Sequence, residues 1–230
     1  MSGIEALYPF LYSSDSGDAA ARDAGVRDRV FEEVRRSTRE KAAEIAALRE
    51  QVLATQADAL VACAAAVARS FAAGGRLFAF GNGGSSTDAQ AVATMFAAPD
   101  LAGAAGTGLP ATALTADVAV LTALSNDVSF EVVFARPLAA AGRPGDVALG
   151  LSTSGNSVNV LRAFAEARRQ GMVTVGLAGY DGGRMAEAGT VDHLFVVPSA
   201  SVHRIQEAQT TVYHVLWELV QIALGAPSCT

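Results

Sequence analysis

Two short loops rich in glycine and serine carry the residues best suited to binding a ligand. The first loop, GNGGSS, spans residues 81–86, and the second loop, STSGNS, spans residues 152–157. Glycine lets the backbone approach a ligand closely, and serine or threonine adds hydroxyl donors. Each loop leads into a predicted helix, whose free N–H groups can bind an anion without lysine or arginine. Either loop alone would fit an ordinary turn between strand and helix, but the two together predict a phosphate site.

Neither loop has the spacing of a P-loop or of the dinucleotide-binding fingerprint GxGxxG. The two loops belong to a pattern of five short apolar runs, each followed by a loop and a helical segment. These runs cover residues 76–80, 111–115, 146–153, 173–179 and 192–198. Such alternation predicts an α/β fold with a five-stranded parallel sheet covered by helices on both faces. Ligands of these sheets bind where strands end and helices begin.

The first third of the chain differs from this pattern. Residues 26–73 contain no proline or glycine, and their composition predicts two long helices that end at Gly74 and Gly75. Residues 1–24 are predicted to form an N-terminal arm, and residues 25–230 a single domain. The arm contains three aromatic residues within five positions, Tyr8, Phe10 and Tyr12. We expect this cluster to dock on a neighbouring subunit or on its own domain, the alternative being a disordered tail.

Composition excludes several classes of function. A net charge of -6 argues against direct contact with nucleic acid, which requires a basic face. The sequence contains no run of about 18 apolar residues of the kind that predicts a membrane span. The amino terminus lacks the basic region of a signal peptide. The two cysteines, Cys63 and Cys229, form neither a CxxC pair nor a disulfide framework. We therefore expect a cytoplasmic protein, and its alanine-rich composition suggests that subunit contacts cover apolar surface.

Four segments between about residue 40 and residue 225 carry a resemblance to a known family. They are FGNGGSSTDAQ, LSTSGNSVNVLRA, GYDGGRM and RIQEAQTTVYH, in that order. Together they resemble the sugar isomerase (SIS) family, most closely its phosphoheptose isomerase branch. The resemblance implies a three-layer αβα sandwich, assembled as a homotetramer that binds sugar phosphates at subunit interfaces. It also extends to a branch similar to the bacterial DnaA initiator-associating protein, which has the same fold but serves as a binding partner.

The resemblance implies a set of ligand-binding positions. Hydroxyl groups of the second loop would hold the phosphate, three residues of the first loop would line the sugar chain, and an aspartate would accept hydrogen bonds from sugar hydroxyls. In this order the residues are Ser152, Thr153, Ser154 and Ser157; Asn82, Gly83 and Ser85; and Asp117. Asp117 also precedes an apolar helical run and could cap that helix, a role compatible with ligand binding.

The catalytic positions match the family only in part. In the resembling isomerases, a His and a Glu on the helix after the first loop gather with a Gln and a His of the last helix, in many members around zinc. The second pair is present here as Gln206 and His214, but alignment without gaps places Ala91 and Met95 at the first pair. Neither residue can bind zinc or accept a proton. Two protein ligands make a poor zinc site, so we expect no metal and no other cofactor.

Three functional hypotheses follow. The first is a protein that binds a phosphorylated sugar or related metabolite without the usual isomerase chemistry. It would act as a sensor or as a subunit that binds an unidentified protein partner. The second is an active isomerase of sedoheptulose 7-phosphate or another ketose phosphate, working through His214 with a relocated base. His203, directly before RIQE, is a candidate for that base, although a histidine there also fits a helix cap or a surface position. The third is a tetrameric scaffold that binds no ligand.

Overall fold

The structure, a computed structural model, describes residues 19–102 and 106–225. The chain divides into two compact units, and the boundary along the sequence lies between Glu44 and Ile45. Helix α1 spans Ala19–Ala72 without interruption. The prediction of two separate helices was therefore wrong, because no proline or glycine between residues 26 and 73 breaks the backbone hydrogen bonding. The helix ends near the predicted glycines, and Gly74 adopts a left-handed φ of 84°.

The helical start at Ala19 also differs from the predicted arm, since residues 19–24 are the beginning of α1. The aromatic cluster of Tyr8, Phe10 and Tyr12 lies outside the described residues, as does Cys229. By length and composition, one stretch of α1 after Val26 would be able to cross a membrane. Core helices of soluble proteins and signal sequences pass the same test, so this stretch is weak evidence for a membrane span.

A five-stranded parallel sheet forms the centre of the second unit, as predicted. Its strands lie in the order β2-β1-β3-β4-β5, and every neighbouring pair is parallel. The strands are β1 (Leu77–Gly81), β2 (Ala111–Ala113), β3 (Val147–Ser152), β4 (Val173–Gly179) and β5 (His193–Val197). The central strands β1 and β3 are buried along their whole length, which explains why their sequences are apolar without alternation.

Helices cover both faces of the sheet and make the three-layer αβα sandwich. They are α2 (Gly84–Ala97), α3 (Val118–Asp127), α4 (Ala135–Ala141), α5 (Val158–Arg169), α6 (Gly183–Glu187) and α7 (Val202–Ala223). Two short 3₁₀ helices, Pro99–Ala102 and Phe130–Val132, lie between them. Successive strand residues point to opposite faces, so β1 contributes Leu77 to one hydrophobic core and Phe78 to the other.

Each core has its own helices. The core that contains Leu77 is formed with α2, α7 and the later part of α1, and it includes Cys63. Burial of this thiol raises the pKa of Cys63 to about 12, so it stays protonated at neutral pH. The core that contains Phe78 is formed with α4, α5 and α6. This arrangement leaves the carboxyl ends of the strands at one edge of the sandwich, where the loops to α2 and α5 begin.

Candidate functional site

The two glycine- and serine-rich loops lie side by side at the carboxyl edge of the sheet. The first loop follows β1 and the second follows β3, and these strands are neighbours. Their register pairs Gly81 with Leu151, so the two loops leave the sheet at the same level. The structure thus brings together the segments that the sequence predicted to form one anion site.

A pair of asparagine side chains joins the two loops. The amide of Asn82 donates to Asn159 Oδ1, and the amide of Asn159 donates to Asn82 Oδ1, both at 2.8 Å. Asn159 is buried in the first turn of α5, and its Oδ1 also accepts a bond from Val160 N at 3.0 Å. Each amide has two donors, and the bond to Asn159 uses one of the two on Asn82. The sequence prediction included Asn82 but missed Asn159, which holds it in place.

Hydroxyl groups of the second loop lie around the start of α5. Ser152 Oγ and Ser157 Oγ are 3.0 Å apart, and Ser154 Oγ accepts a bond from Asn156 N at 3.2 Å. Ser157 is the N-cap residue of α5, yet its side chain caps no N–H group of the helix. Thr153, which follows Ser152 in the sequence, is partly buried. This end of α5 therefore combines hydroxyls with a helix terminus whose N-cap side chain bonds none of its N–H groups, a combination that suits an anion.

The start of α2, in the first loop, is also without a side-chain cap. Gly83 is its N-cap residue and has a left-handed φ of 56°, which favours glycine. A Cβ added to Gly83 would have no other atom within 4 Å, so the backbone borders open space. Ser85 is different, because its side chain is buried and lies against Gly81. The backbone at Gly83 is thus accessible, whereas the buried Ser85 packs against Gly81.

Gln206 of α7 reaches the first loop. A Cβ added to Gly84 would collide with the Gln206 amide, which means that this side chain lies directly against the glycine. The structure therefore places one of the two predicted catalytic residues at the start of α2. Gln206 is two turns before His214 on the same helix.

His214 is exposed, and its ring is oriented by its own helix. His214 Nδ1 lies 2.7 Å from Thr210 O, which accepts a hydrogen bond from the ring. This bond places the proton on Nδ1 and leaves Nε2 as the basic nitrogen. The ring stacks on Tyr213, with centroids 5.0 Å apart. No hydrogen bond among the described residues joins His214 to either loop.

An aspartate of α2 is hydrogen-bonded to Tyr213, the residue that stacks on His214. Tyr213 Oη donates to Asp88 Oδ1 at 3.4 Å, and Asp88 Oδ2 is buried without a partner among the described residues. Burial raises the pKa of Asp88, and the bond from Tyr213 partly opposes that shift. The pair links α2 to α7 next to the site, although the sequence singled out neither residue as a binding group.

Ala91 and Met95 occupy the face of α2 one and two turns beyond Asp88. Ala91 is exposed, whereas Met95 is 3% exposed and packs in the hydrophobic core. Among residues 19–102 and 106–225, no three His, Cys, Asp or Glu side chains are grouped so that they could hold a metal ion. Within the described part of one chain, the two loops bring together hydroxyl groups and helix starts, but no cluster of metal-binding side chains.

Asp117 and the other two histidines form no hydrogen bond with the two loops within the part of the chain that the structure describes. Asp117 is the N-cap of α3, where its Oδ1 accepts a bond from Val120 N at 3.0 Å, as the capping hypothesis predicted. His203 is exposed in the first turn of α7. His193 begins β5 and therefore lies at the amino edge of the sheet, opposite the loops. Partial burial lowers the pKa of His193, which favours a neutral structural side chain.

Comparison with known proteins agrees with this architecture. Residues 42–179 match the model of the SIS domain. The chain is 45% identical over 177 residues to the phosphoheptose isomerase of Roseiflexus sp. (strain RS-1), covering 77% of this chain and 88% of that protein. It is 43% identical over 203 residues to the phosphoheptose isomerase of Pelodictyon phaeoclathratiforme, covering 87% and 94%.

A solved structure shows the same arrangement in three dimensions. The phosphoheptose isomerase of Neisseria gonorrhoeae superposes with a TM-score of 0.74 at 33% identity, over 81% of this chain and 98% of that one. The chain therefore belongs to the SIS domain family, in the branch of the phosphoheptose isomerases.

Proposed function

We propose that the chain binds a phosphorylated sugar at the carboxyl edge of its sheet. The observation that carries this proposal is the adjacency of two loops whose helices both start without a side-chain cap, at Gly83 and Ser157. Backbone N–H groups and hydroxyls at such termini suit a phosphate group, and they require no basic side chain. The relatives named phosphoheptose isomerase support a sugar phosphate as the ligand.

Under this proposal each part of the ligand has its own partners. The second loop holds the phosphate, because its hydroxyls cluster at the N-terminus of α5. The first loop and the start of α3 contact the sugar chain. The phosphate residues are Ser152, Thr153, Ser154 and Ser157, and the sugar residues are Asn82, Gly83, Ser85 and Asp117.

We further propose that the chain lacks the usual isomerase chemistry. Moving a proton between neighbouring carbons requires a base, and the enediolate that forms needs a stabilising charge. Ala91 has no functional group, and Met95 is buried among apolar side chains. Gln206 is neutral, which leaves His214 as the one titratable residue of the four corresponding positions. A role in recognising the sugar phosphate, as a sensor or for a protein partner, fits this set.

A second candidate is an active ketose phosphate isomerase that uses His214. The observation in its favour is the bond from His214 Nδ1 to Thr210 O, which leaves Nε2 free to accept a proton. A group held in one tautomer is prepared for general base catalysis. An isomerase requires a second proton-transfer group, whereas a protein that only binds the sugar phosphate does not.

We also propose a cytoplasmic homotetramer without direct nucleic-acid contacts. Helix α3 is largely apolar in sequence, yet none of its residues is buried in a single chain. Val118 is 66% exposed, and Phe130 in the following turn is 50% exposed. Another subunit packed on this surface would remove apolar area from water next to Asp117. A tetrameric scaffold that binds no ligand is the third possibility.

Thermal unfolding with a panel of sugar phosphates tests the binding proposal. A ligand at 100 times its Kd should stabilise the protein by about 2.7 kcal/mol, which raises Tm by about 5–10 °C for a chain of this size. The combined variant Ser154→Ala and Ser157→Ala should lose this rise, because it removes two hydroxyls of the second loop. Thr38→Ala, on an exposed position of α1, is the matched control and should keep it. If no sugar phosphate of the panel raises Tm, only the hypothesis of a scaffold that binds no ligand remains.

A further inference from the structure

Tyr180 has a backbone conformation that tyrosine rarely adopts. Its φ is 55°, and among residues 19–102 and 106–225 it is the one residue other than glycine with a positive φ. This left-handed region crowds the Cβ of an L-residue against its own backbone. The side chain is 40% exposed, so packing in the core does not account for the choice of tyrosine. Strained residues of this kind are found preferentially at functional sites.

The position of Tyr180 is beside the second loop. Tyr180 follows Gly179, the last residue of β4, and β4 is the neighbour of β3. A Cβ added to Gly179 would lie 2.6 Å from Thr153 O and would also collide with the side chain of Ile205. The chain therefore leaves the sheet between the second loop and the first turn of α7. Both elements carry residues of the candidate site, Thr153 and Gln206.

The third loop, residues 179–183, is fixed to the second. Met185 N donates to Gly155 O at 3.0 Å, and Arg184 N donates to Asn156 Oδ1 at 2.9 Å. Within the loop, Asp181 Oδ1 accepts a bond from Gly183 N at 3.0 Å. These bonds hold the backbone on the carboxyl side of Tyr180 against the second loop. Tyr180, which is 40% exposed, therefore follows β4 on a backbone that is held against the second loop.

We propose that Tyr180 is a specificity-determining residue that packs against the carbon chain of the bound sugar phosphate. The inference rests on the proposed function, and it assigns recognition of the carbon chain to a residue outside the two anion-binding loops. Hydroxyls and backbone N–H groups recognise phosphate whatever it is attached to. An aromatic ring adds contact with C–H groups, which inorganic phosphate lacks. Tyr180 therefore distinguishes a sugar phosphate from phosphate itself.

Calorimetric titration with two probes, sedoheptulose 7-phosphate and inorganic phosphate, tests this role. Tyr180→Ala and Tyr180→Gly should bind the sugar phosphate about 5–10-fold more weakly than the wild type, while their affinity for inorganic phosphate stays the same. Tyr180→Phe keeps the ring and should bind both probes as the wild type does. The Gly variant should melt about 2–4 °C above the Ala variant, because glycine relieves the left-handed strain.

Gly189→Ala is the matched control. Gly189 has a φ of 61° with open space around it, and it precedes β5 at the amino edge of the sheet. This variant should lose stability but keep both affinities. If the Tyr180→Ala protein binds both probes like the wild type, or loses both to the same extent, Tyr180 has no part in specificity. A wild type that binds neither probe would instead refute the proposed function, and the inference with it.

Discussion

Gly155→Ala is expected to destabilise the protein by about 3–4 kcal/mol and to abolish phosphate binding. Gly155 lies in the second loop with a left-handed φ of 65°. A Cβ there would collide with the Gly182 carbonyl, whose carbon would lie 2.6 Å away. Both atoms in the collision belong to backbone or Cβ, so no flexible side chain can move to relieve it. The second and third loops would have to separate, which would displace Ser154 and Tyr180.

Urea denaturation of the variant and of a control measures this effect. Gly74→Ala is a suitable control, because Gly74 has a similar φ of 84° but no atom within 4 Å of an added Cβ. It should cost about 1 kcal/mol, the conformational penalty alone. The difference between the two variants isolates the collision. Equal destabilisation by both would mean that the two loops are not packed as described.

Met95→Glu is expected to cost about 3–5 kcal/mol in the absence of metal. The side chain of Met95 is 3% exposed within the core of α2 and α7, so a carboxylate there would be buried without a partner. Adding Ala91→His places an imidazole one turn earlier on α2 and recreates the residue types of the resembling isomerases. With Gln206 and His214, zinc would then have a complete set of side-chain ligands.

Zinc should therefore raise the Tm of the double variant and leave that of the wild type unchanged. Saturating zinc at 100 times its Kd would restore about 2.7 kcal/mol of the lost stability. Ala91→His combined with Met95→Leu is the control, because it keeps the core apolar and lacks the carboxylate. If zinc has no effect on the double variant, then Ala91 and Met95 do not face Gln206 and His214.

The sheet could be predicted because its strands are short apolar runs, each followed by a loop and a helical segment. All five runs became strands of one parallel sheet, and this brought the two loops together. The error in α1 has a simple cause, because nothing in the sequence marks where one helix would end and another begin. Helix composition predicts a helical state, but it does not predict whether that state is one continuous helix or two helices with a break between them.

The parts of the site that the sequence did not reveal depend on tertiary contacts. Asn159 resembles any polar residue of a helical segment until the fold places it 2.8 Å from Asn82. The segment GYDGG indicates a turn, but it does not indicate that Tyr180, rather than a neighbouring glycine, adopts the left-handed conformation. Met95 is buried because α2 packs against α7. The pattern of residue types along a short helix does not predict which face will pack in this way.

We propose that this chain binds a sugar phosphate without isomerising it by the usual route. Incubation of the protein with sedoheptulose 7-phosphate, followed by NMR with and without zinc, measures binding and conversion in one sample. We expect broadened ligand resonances, which report binding, and no formation of an aldose phosphate under either condition. Turnover at an enzymatic rate of about 1–10³ s⁻¹ that survives metal removal and is lost in His214→Ala would contradict this proposal.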